Sequence, residues 1–221
     1  MKRIFFSLAL LLAVTALTAQ TNMTAREAAV KIADRILAST TYEFKNTKTG
    51  ETYKSVKKLP LDMNVKVACK YNNWHYTNGV TNMALMELGD KLADKKYEKY
   101  VLKNMNFVFN EGNLEFFRKQ YDEAFKQDGW NAVRKLSWHM IFRGKRLDDN
   151  GPMGASLIEL QMRYPNQSFL DYVNETAEHL NYGEPRLVDG TIARIWPHVN
   201  TIWADDAFMA ISFLARMGKM T

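Results

Sequence analysis

Apolar residues recur every three or four positions through most of the chain, the spacing that places them on one face of an α-helix. Strand-like alternation of polar and apolar residues is nearly absent. The periodicity predicts helices over residues 25–38, 79–92, 97–109, 114–125, 130–140, 154–163 and 168–180, and a last helix that begins near Asp205. Residues 40–62 are polar and contain turn-forming residues, so they are predicted to form a loop.

Short turns separate two pairs of these helices. Residues 90–94 form the turn of the first pair, and residues 164–167 form the turn of the second. Helices joined by such short connections pack antiparallel, so each pair is predicted to be a helix hairpin. Repeated hairpins with apolar faces predict an all-α fold, and a toroid of helix pairs rather than a simple bundle. Asn78-Gly79, just before the first hairpin, is read as a turn.

The N-terminal segment differs from the rest of the chain. Lys2 and Arg3 precede an apolar run over residues 4–16, and small residues suited to cleavage follow as far as Ala19. This pattern predicts a secretory signal peptide over residues 1–19, because the run is too short to be a good membrane span. The remaining residues, 20–221, are predicted to form one domain.

Composition places the chain among ordinary globular proteins, with 221 residues, 47% of them hydrophobic and 12% aromatic. The net charge is +6, but the basic residues are scattered, which favours a solvated mixed surface over a binding surface. A mild attraction for acidic sugars is the second interpretation. Neither nucleic acid nor, once the signal peptide is removed, a membrane is expected as a partner. Cys69 is the only cysteine, and export without disulfides indicates a bacterial periplasm or exterior.

Two pairs of adjacent carboxylates stand at the start of predicted helices, Asp148-Asp149 and Asp205-Asp206, the second just after Trp203. Neighbouring helical residues point about 100° apart, so at most one member of each pair faces the core squarely. An indole beside a carboxylate suits sugar chemistry. The ring stacks on a pyranose, and apolar surroundings raise a carboxyl pKa so that the group can donate a proton. The alternative is that both pairs cap their helices.

Three stretches together resemble one enzyme family: WADDAFM at residues 203–209, LDDNGPMG at 147–154 and WHYTNG at 74–79. They resemble glycoside hydrolase family 105, the unsaturated rhamnogalacturonyl hydrolases, which are related to the unsaturated glucuronyl hydrolases of family 88. The resemblance begins near Asn73 and reaches the C-terminus. That family folds as an (α/α)6 barrel of six helix hairpins, which needs roughly 350 residues. The resemblance therefore implies the N-terminal part of such a toroid, and self-association could close its open side.

The resemblance also implies the chemistry. In that family a carboxylic acid protonates C4 of a 4,5-unsaturated uronic acid, water adds at C5, and the resulting hemiketal opens. By resemblance Asp205 is the general acid/base, because it stands two residues after Trp203 and four before Met209. Asp206 is its competitor, and both Asp206 and Trp203 are candidates for sugar binding. Asp149 resembles the second acidic residue of the site, which holds the sugar or modulates the acid.

Four more residues are candidates for substrate binding. Trp74 and Tyr76 could form a stacking platform, or could pack under a loop. Arg194 stands where some family members have a histidine, nine residues before Trp203, and could clamp the substrate carboxylate. His198 could replace that histidine or be an ordinary loop residue. Histidines and cysteines do not occur at metal-binding spacings, so neither a metal nor a cofactor is expected.

The predicted function is removal of a 4,5-unsaturated uronic acid from the non-reducing end of pectin oligosaccharides, specifically rhamnogalacturonan fragments made by a lyase. Two alternatives stand beside this prediction. In one the protein binds oligosaccharides without turnover, and in the other it is a non-catalytic helical scaffold. Composition and periodicity alone, without the resemblance, support a secreted helical globular protein.

Overall fold

The structure is a computed structural model that describes residues 23–143 and 147–221. The predicted signal peptide over residues 1–19 lies outside the described residues. Within the described ranges, none of the helices combines the length and the apolar character needed to cross a bilayer.

The chain divides into two compact units, residues 1–35 and residues 36–221. Helix α1 (Ala25–Ser39) begins in the first unit and continues into the second, and it confirms the first predicted helix. Thr24 caps this helix. Its hydroxyl accepts a hydrogen bond from the backbone N–H of Glu27, and its own backbone N–H donates to the Glu27 carboxylate. This reciprocal pair satisfies backbone donors that the helix start leaves open.

The second unit is helical apart from one small sheet, which confirms the all-α fold class. After α1, its described helices are α2 (Tyr76–Leu92), α3 (Lys96–Val108), α4 (Glu111–Val133), α5 (His139–Arg143), α6 (Leu147–Arg163), α7 (Gln167–Glu178) and α8 (Ala204–Met220). A 3-10 turn (Val56–Lys58) lies before α2, and a π-helical turn (His179–Gly183) extends α7.

The prediction that residues 40–62 form a loop is wrong in part. Strand β1 (Phe44–Asn46) pairs antiparallel with both β2 (Thr52–Tyr53) and β3 (Val65–Val67), in the order β2-β1-β3. Phe44 lies opposite Val67 and is fully buried. Strands of two or three residues offer too few positions for an alternating pattern to be recognised, which is why the sequence did not reveal them.

The predicted break between residues 125 and 130 is confirmed as a kink in α4. Asp128 and Gly129 leave the helical conformation, and Gly129 has a φ of 51°. A positive φ strains residues that carry a Cβ atom, so glycine suits this position. The helix predicted over residues 130–140 is wrong in extent, because α4 ends at Val133 and α5 begins at His139.

Glycines bring α6 into backbone contact with α8. A Cβ atom placed on Gly151 would lie 2.1 Å from the carbonyl oxygen of Met209, and one on Gly154 would lie 2.8 Å from the ring of Phe213. Both contacts advance along the two helices in the same order, so α6 and α8 run in the same direction. Their first turns therefore lie at the same end of the unit.

Helix α2 packs on α6 in the same direction. A Cβ atom on Gly79 would lie 2.4 Å from the backbone carbon of Pro152, close to the start of both helices. Near the ends of the same helices, the Arg163 guanidinium lies 2.7 Å from Asp90 in α2 and 2.5 Å from the buried Glu98 in α3. The starts of α2, α6 and α8 thus share one end of the unit.

The interpretation of Asn78-Gly79 as a turn is wrong. Both residues lie inside α2 and are buried. The Asn78 side-chain amide donates hydrogen bonds to the carbonyl oxygens of Lys70 and Asn73, each at 2.9 Å. Gly79 is needed for the close contact with α6 and not for chain reversal.

Both predicted hairpins are confirmed. Helix α3 packs on α2 after a turn at Ala93, and α7 packs on α6 after a turn that ends at Asn166. Asn166 caps α7 by accepting a hydrogen bond from the backbone N–H of Ser168 at 2.9 Å. That the chain forms the N-terminal part of a larger toroid stays a prediction.

Candidate active site

The candidate site lies where the starts of α6 and α8 meet the irregular segment over residues 184–203. Asp148 and Asp149 occupy the first turn of α6, and Asp205 and Asp206 occupy the first turn of α8. Isolated bridges hold the irregular segment, one of them between Arg194 and Thr201. The backbone N–H of Arg194 donates to the Thr201 carbonyl at 2.8 Å, which fixes the point from which the arginine side chain extends.

The Arg194 guanidinium joins the two helix starts. Its Nε and Nη2 donate to the two oxygens of Asp206 at 2.6 and 2.5 Å, and Nη2 also donates to Asp148 at 2.9 Å. The guanidinium carbon lies 4.2 Å from the centre of the Trp203 ring. The hydrogen bond to Asp206 raises the pKa of Arg194 although its burial opposes this, and the charges of Asp148, Asp206 and Asp205 add to the increase.

Asp206 is a buried structural carboxylate in this arrangement. It is 5% exposed, and besides the arginine it accepts a hydrogen bond from the backbone N–H of Trp203 at 3.3 Å. The carboxylate therefore satisfies a donor at the start of α8 while it pairs with a cation, as a capping residue does. That Asp206 binds the sugar stays a prediction, although its carboxylate already has these partners.

The clamp role predicted for Arg194 also stays a prediction, because its guanidinium already has carboxylate partners within the chain. A guanidinium that recognises a substrate carboxylate offers its fork of N–H donors to the ligand. Here that fork is directed at Asp206, with Asp148 on the same nitrogen. Arg194 thus crosses from α6 to α8 and pairs with one carboxylate at each helix start.

Asp205 has the opposite environment to its neighbour. It is exposed at the rim of the site, because one residue along a helix turns the side chain by about 100°. Its charge reaches Arg194 strongly enough to contribute to the raised pKa of that guanidinium. Asp205 thus stands beside the buried ion pair with its carboxyl group accessible to a ligand.

In the α6 pair, Asp149 is the buried member, at 3% exposure, and Asp148 is partly exposed. Burial, with added contributions from Glu175 and Asp149, raises the pKa of Tyr172 well above its usual value. The Tyr172 hydroxyl donates to Asn150 at 2.7 Å. The predicted role of Asp149 as the second carboxylate of the site stays a prediction. Asp148, for which capping of the helix is the alternative role, lies nearer the surface.

A cleft of about 280 Å³ lies beside the Arg194 ion pairs. Asp148, Arg194 and Asp206 form its polar wall, and Trp196, with the aliphatic side chains next to it in sequence, contributes an apolar wall. The volume is near the lower limit of ligand-binding pockets. Trp196 was not predicted as a site residue, although a tryptophan two residues after the candidate Arg194 is a signal that the sequence contains.

The aromatic candidates separate by burial. Trp74 is 0% exposed and its ring packs against Tyr172, with 4.8 Å between ring centres, so it is a core residue and the stacking prediction for it is wrong. Tyr76, the first residue of α2, is 37% exposed and can contact a ligand. Trp203 is partly exposed, although the guanidinium covers one face of its ring.

His198 is exposed, and its carbonyl oxygen accepts a hydrogen bond from the Thr201 hydroxyl at 2.8 Å. His198 is not among the described residues that line the cleft. Its position and its contact therefore fit an ordinary loop residue better than a replacement for the family histidine. Within residues 23–143 and 147–221, no three side chains of His, Cys, Asp or Glu are arranged to hold a metal ion.

The model of Glycosyl Hydrolase Family 88 matches residues 56–221, which is well over half of the chain. The matched range contains both aspartate pairs, Asp148-Asp149 and Asp205-Asp206. The chain belongs to glycosyl hydrolase family 88. Membership places the protein among glycoside hydrolases, enzymes that degrade carbohydrates. A search of curated proteins found no match to this chain.

For a family 88 domain, the division of the aspartates has a clear chemical meaning. Each pair contributes one carboxylate to the interior and one that is more exposed. Arg194 neutralises one of the two negative charges of Asp148 and Asp206, so the site retains a net negative charge beside Asp205.

Proposed function

We propose that this family 88 protein removes a 4,5-unsaturated uronic acid from the non-reducing end of lyase-generated oligosaccharides, with rhamnogalacturonan fragments of pectin as its substrates. The observation that carries the proposal is the state of the α8 aspartates. Asp206, which lines the cleft, is paired with Arg194, whereas Asp205 is exposed one residue earlier in the helix and its charge reaches Arg194. An acid that must reach a substrate carbon has to be the exposed member.

The proposed reaction adds water across the C4=C5 bond. The Asp205 carboxyl group gives its proton to C4, and the cation that develops at C5 is stabilised by the ring oxygen. Water then bonds to C5 while the Asp205 carboxylate takes a proton from it, which restores the acid. The hemiketal formed at C5 opens and releases the rest of the oligosaccharide. One carboxyl group thus acts as acid and then as base.

The direction of the helices supports binding of an acidic sugar. The N-terminal ends of α2, α6 and α8 lie at the same end of the unit, and a helix start carries partial positive charge from its open N–H groups. The first turns of α6 and α8 each carry two aspartates, so the start of α2, whose first turn holds no acidic residue, is the candidate for contact with the uronate carboxylate.

The test follows ultraviolet absorbance of an unsaturated uronyl-rhamnose disaccharide, since hydration destroys the absorbing C4=C5 bond. We expect steady loss of signal with the wild-type protein and none with Asp205→Asn. Asp122→Asn, an exposed aspartate in α4, is the matched control and keeps the wild-type rate. Circular dichroism verifies that each variant is folded. An active Asp205→Asn variant would exclude Asp205 as the acid, and no loss with folded wild type would refute the hydrolase.

A second substrate distinguishes the family 105 type of specificity from the family 88 type. An unsaturated glucuronyl disaccharide with an amino sugar at its reducing end carries the same double bond. Faster turnover of the rhamnose-containing disaccharide supports the pectin proposal, and the reverse order contradicts it. We further propose that the protein acts in the bacterial periplasm or exterior, where lyase products arise. Fractionation of cells that express the full chain tests this location.

A further inference from the structure

The cleft beside the Arg194 ion pairs is also lined by a histidine and a glutamate, His179 and Glu184. The Nε2 atom of His179 and the Oε1 atom of Glu184 are 2.8 Å apart, and the two side chains are 11% and 10% exposed. Neither residue was predicted as a site residue. Burial of a carboxylate costs free energy unless the group has a partner, and here the histidine is that partner.

The π-helical turn that extends α7 creates this pair. Residues five apart on a regular α-helix point about 140° apart, so His179 and Glu184 would not meet there. In the turn, the backbone N–H of Glu184 donates to the His179 carbonyl oxygen at 3.0 Å, a bond that spans five residues. Turns of this kind are rare and occur frequently at functional sites.

Gly183 makes room for the imidazole ring. A Cβ atom on this residue would lie 2.2 Å from Nδ1 of His179. The ring therefore rests on the backbone of its own turn, with Nε2 directed at Glu184, and a larger residue at position 183 would displace it. Arg186 also secures the turn, because its Nη2 donates to the Leu180 carbonyl oxygen at 2.7 Å.

The Glu184 carboxylate retains capacity for a ligand. A carboxylate has two oxygens, with about four lone-pair positions between them. Within residues 23–143 and 147–221, the Glu184 side chain makes one hydrogen bond, the one with His179, and it uses Oε1. Oε2 can therefore accept a hydrogen bond from a molecule in the cleft.

The charge of the cleft restricts what that molecule can be. Of the described residues that line the cleft, three are carboxylates, Asp148, Glu184 and Asp206, and they face one guanidinium and one imidazole. The carboxylates outnumber the cations even when His179 is protonated. A ligand group with a carboxylate or a sulfate is therefore repelled, whereas a hydroxyl group is a suitable donor to Oε2.

We propose that Glu184, held by His179, binds a hydroxyl group of the neutral sugar that is linked to the unsaturated uronic acid. This inference rests on the proposed function, because it assigns a place to the second sugar of the same substrate. The cleft of about 280 Å³ is small for a ligand pocket, so it admits a single sugar ring and not a longer chain. The exposed ring of Trp196 provides an apolar surface for that sugar. Glu184 thus determines specificity, and His179 positions its carboxylate.

Two substrates that share the double bond and differ in the leaving group test the assignment. One is the unsaturated uronyl-rhamnose disaccharide, and the other is the methyl glycoside of the same unsaturated uronic acid. We expect the wild-type kcat/KM to be at least about tenfold higher for the disaccharide, the effect of one hydrogen bond to a charged group. Glu184→Met removes both oxygens and should lower the value for the disaccharide to near that for the methyl glycoside. An equal fractional loss on both substrates would overturn the proposal, because it would show a structural role.

The matched control is Glu178→Met, since Glu178 is exposed one residue before His179 and the variant keeps the preference for the disaccharide. His179→Ala should lower the preference. His179→Gln, whose amide can donate to Glu184 in place of Nε2, should retain most of it, and equal effects of the two variants would contradict the positioning role. Circular dichroism verifies folding. If Glu184→Met does not fold, Glu184→Gln, which keeps the shape and loses the charge, should still lower the preference at least about threefold.

A binding measurement separates this inference from the proposed function. If the folded wild type hydrates neither substrate, the proposed function fails, and saturation-transfer NMR with methyl rhamnoside then decides the assignment. Binding to the wild type and to Glu178→Met, together with at least about tenfold weaker binding to Glu184→Met, supports the role of Glu184. Equal binding to all three proteins, or no binding to the wild type, would overturn it.

Discussion

Replacement of Arg194 by glutamine tests whether the buried ion pair, rather than substrate contact, is the role of this residue. The variant leaves Asp206, whose side chain is 6% exposed, without its cation. Removal of one partner from a buried pair costs about 3–5 kcal/mol. The Arg194 side chain is itself 16% exposed and Asp148 can turn toward water. We therefore expect the free energy of unfolding to fall by about 3 kcal/mol, the lower limit of that range. For a domain of this size, the melting temperature falls by about 6–12 °C.

A second variant separates the effect of the unpaired charge from that of the lost contacts. The double variant Arg194→Gln, Asp206→Asn lacks the unpaired charge, and its loss should be smaller than the sum of the two single losses.

The assay is urea unfolding followed by circular dichroism at pH 7, with the exposed Arg134→Gln as the matched control. A loss below 1 kcal/mol, or one equal to that of the control, would refute the structural role. Kinetics provide an independent check. If Arg194 clamps the substrate, the main effect on an active variant is a raised KM; if it positions the helix starts, kcat falls while KM changes little.

Two further predictions concern the contacts around α6. Gly151→Ala forces a Cβ atom against the α8 backbone and should cost about 1–3 kcal/mol in urea unfolding, whereas Gly218→Ala, with open space around it, should not destabilise the fold. Burial would raise the pKa of Glu98, but hydrogen bonds from Tyr164 and Arg163, among others, outweigh it and hold that pKa below 4.5. The stabilisation from this carboxylate is present above pH 4.5 and is lost as pH falls further. The free energy of unfolding of Glu98→Gln should therefore fall less steeply below pH 4.5 than that of the wild type. An unchanged slope would contradict this assignment.

The helices could be predicted because they are long enough for a 3.6-residue period to repeat several times. The three strands could not, since each has two or three residues. The orientation of the α8 aspartates was available in principle. Asp206 shares its face with Met209 and Phe213, at spacings of three and seven, and all three are buried. The positions of the apolar residues along the helix thus predict that Asp206 faces the core and that Asp205 does not.

Other parts of the site depend on contacts between distant segments, and no local pattern records them. Trp74 looks like an exposed aromatic beside a helix start, but Trp138 and Tyr172 from later elements cover it. Arg194 precedes Asp206 by 12 residues and follows Asp148 by 46, so its bridging position depends on the tertiary fold. The isolated glycines Gly79 and Gly151 were a usable signal, because glycine within a helical pattern often marks a close approach of backbones.

The glycine contacts of α6 have a consequence for how such a domain could be altered. Where one backbone rests on another, the separation of the helix starts is set by the thickness of the polypeptide chain and not by interchangeable side chains. The segment over residues 184–203, in contrast, is secured by isolated bridges and by the side chain of Arg194. A protein engineer could therefore exchange the outer part of this segment while the separation of the α6 and α8 starts, defined by the main chain, is inherited unchanged.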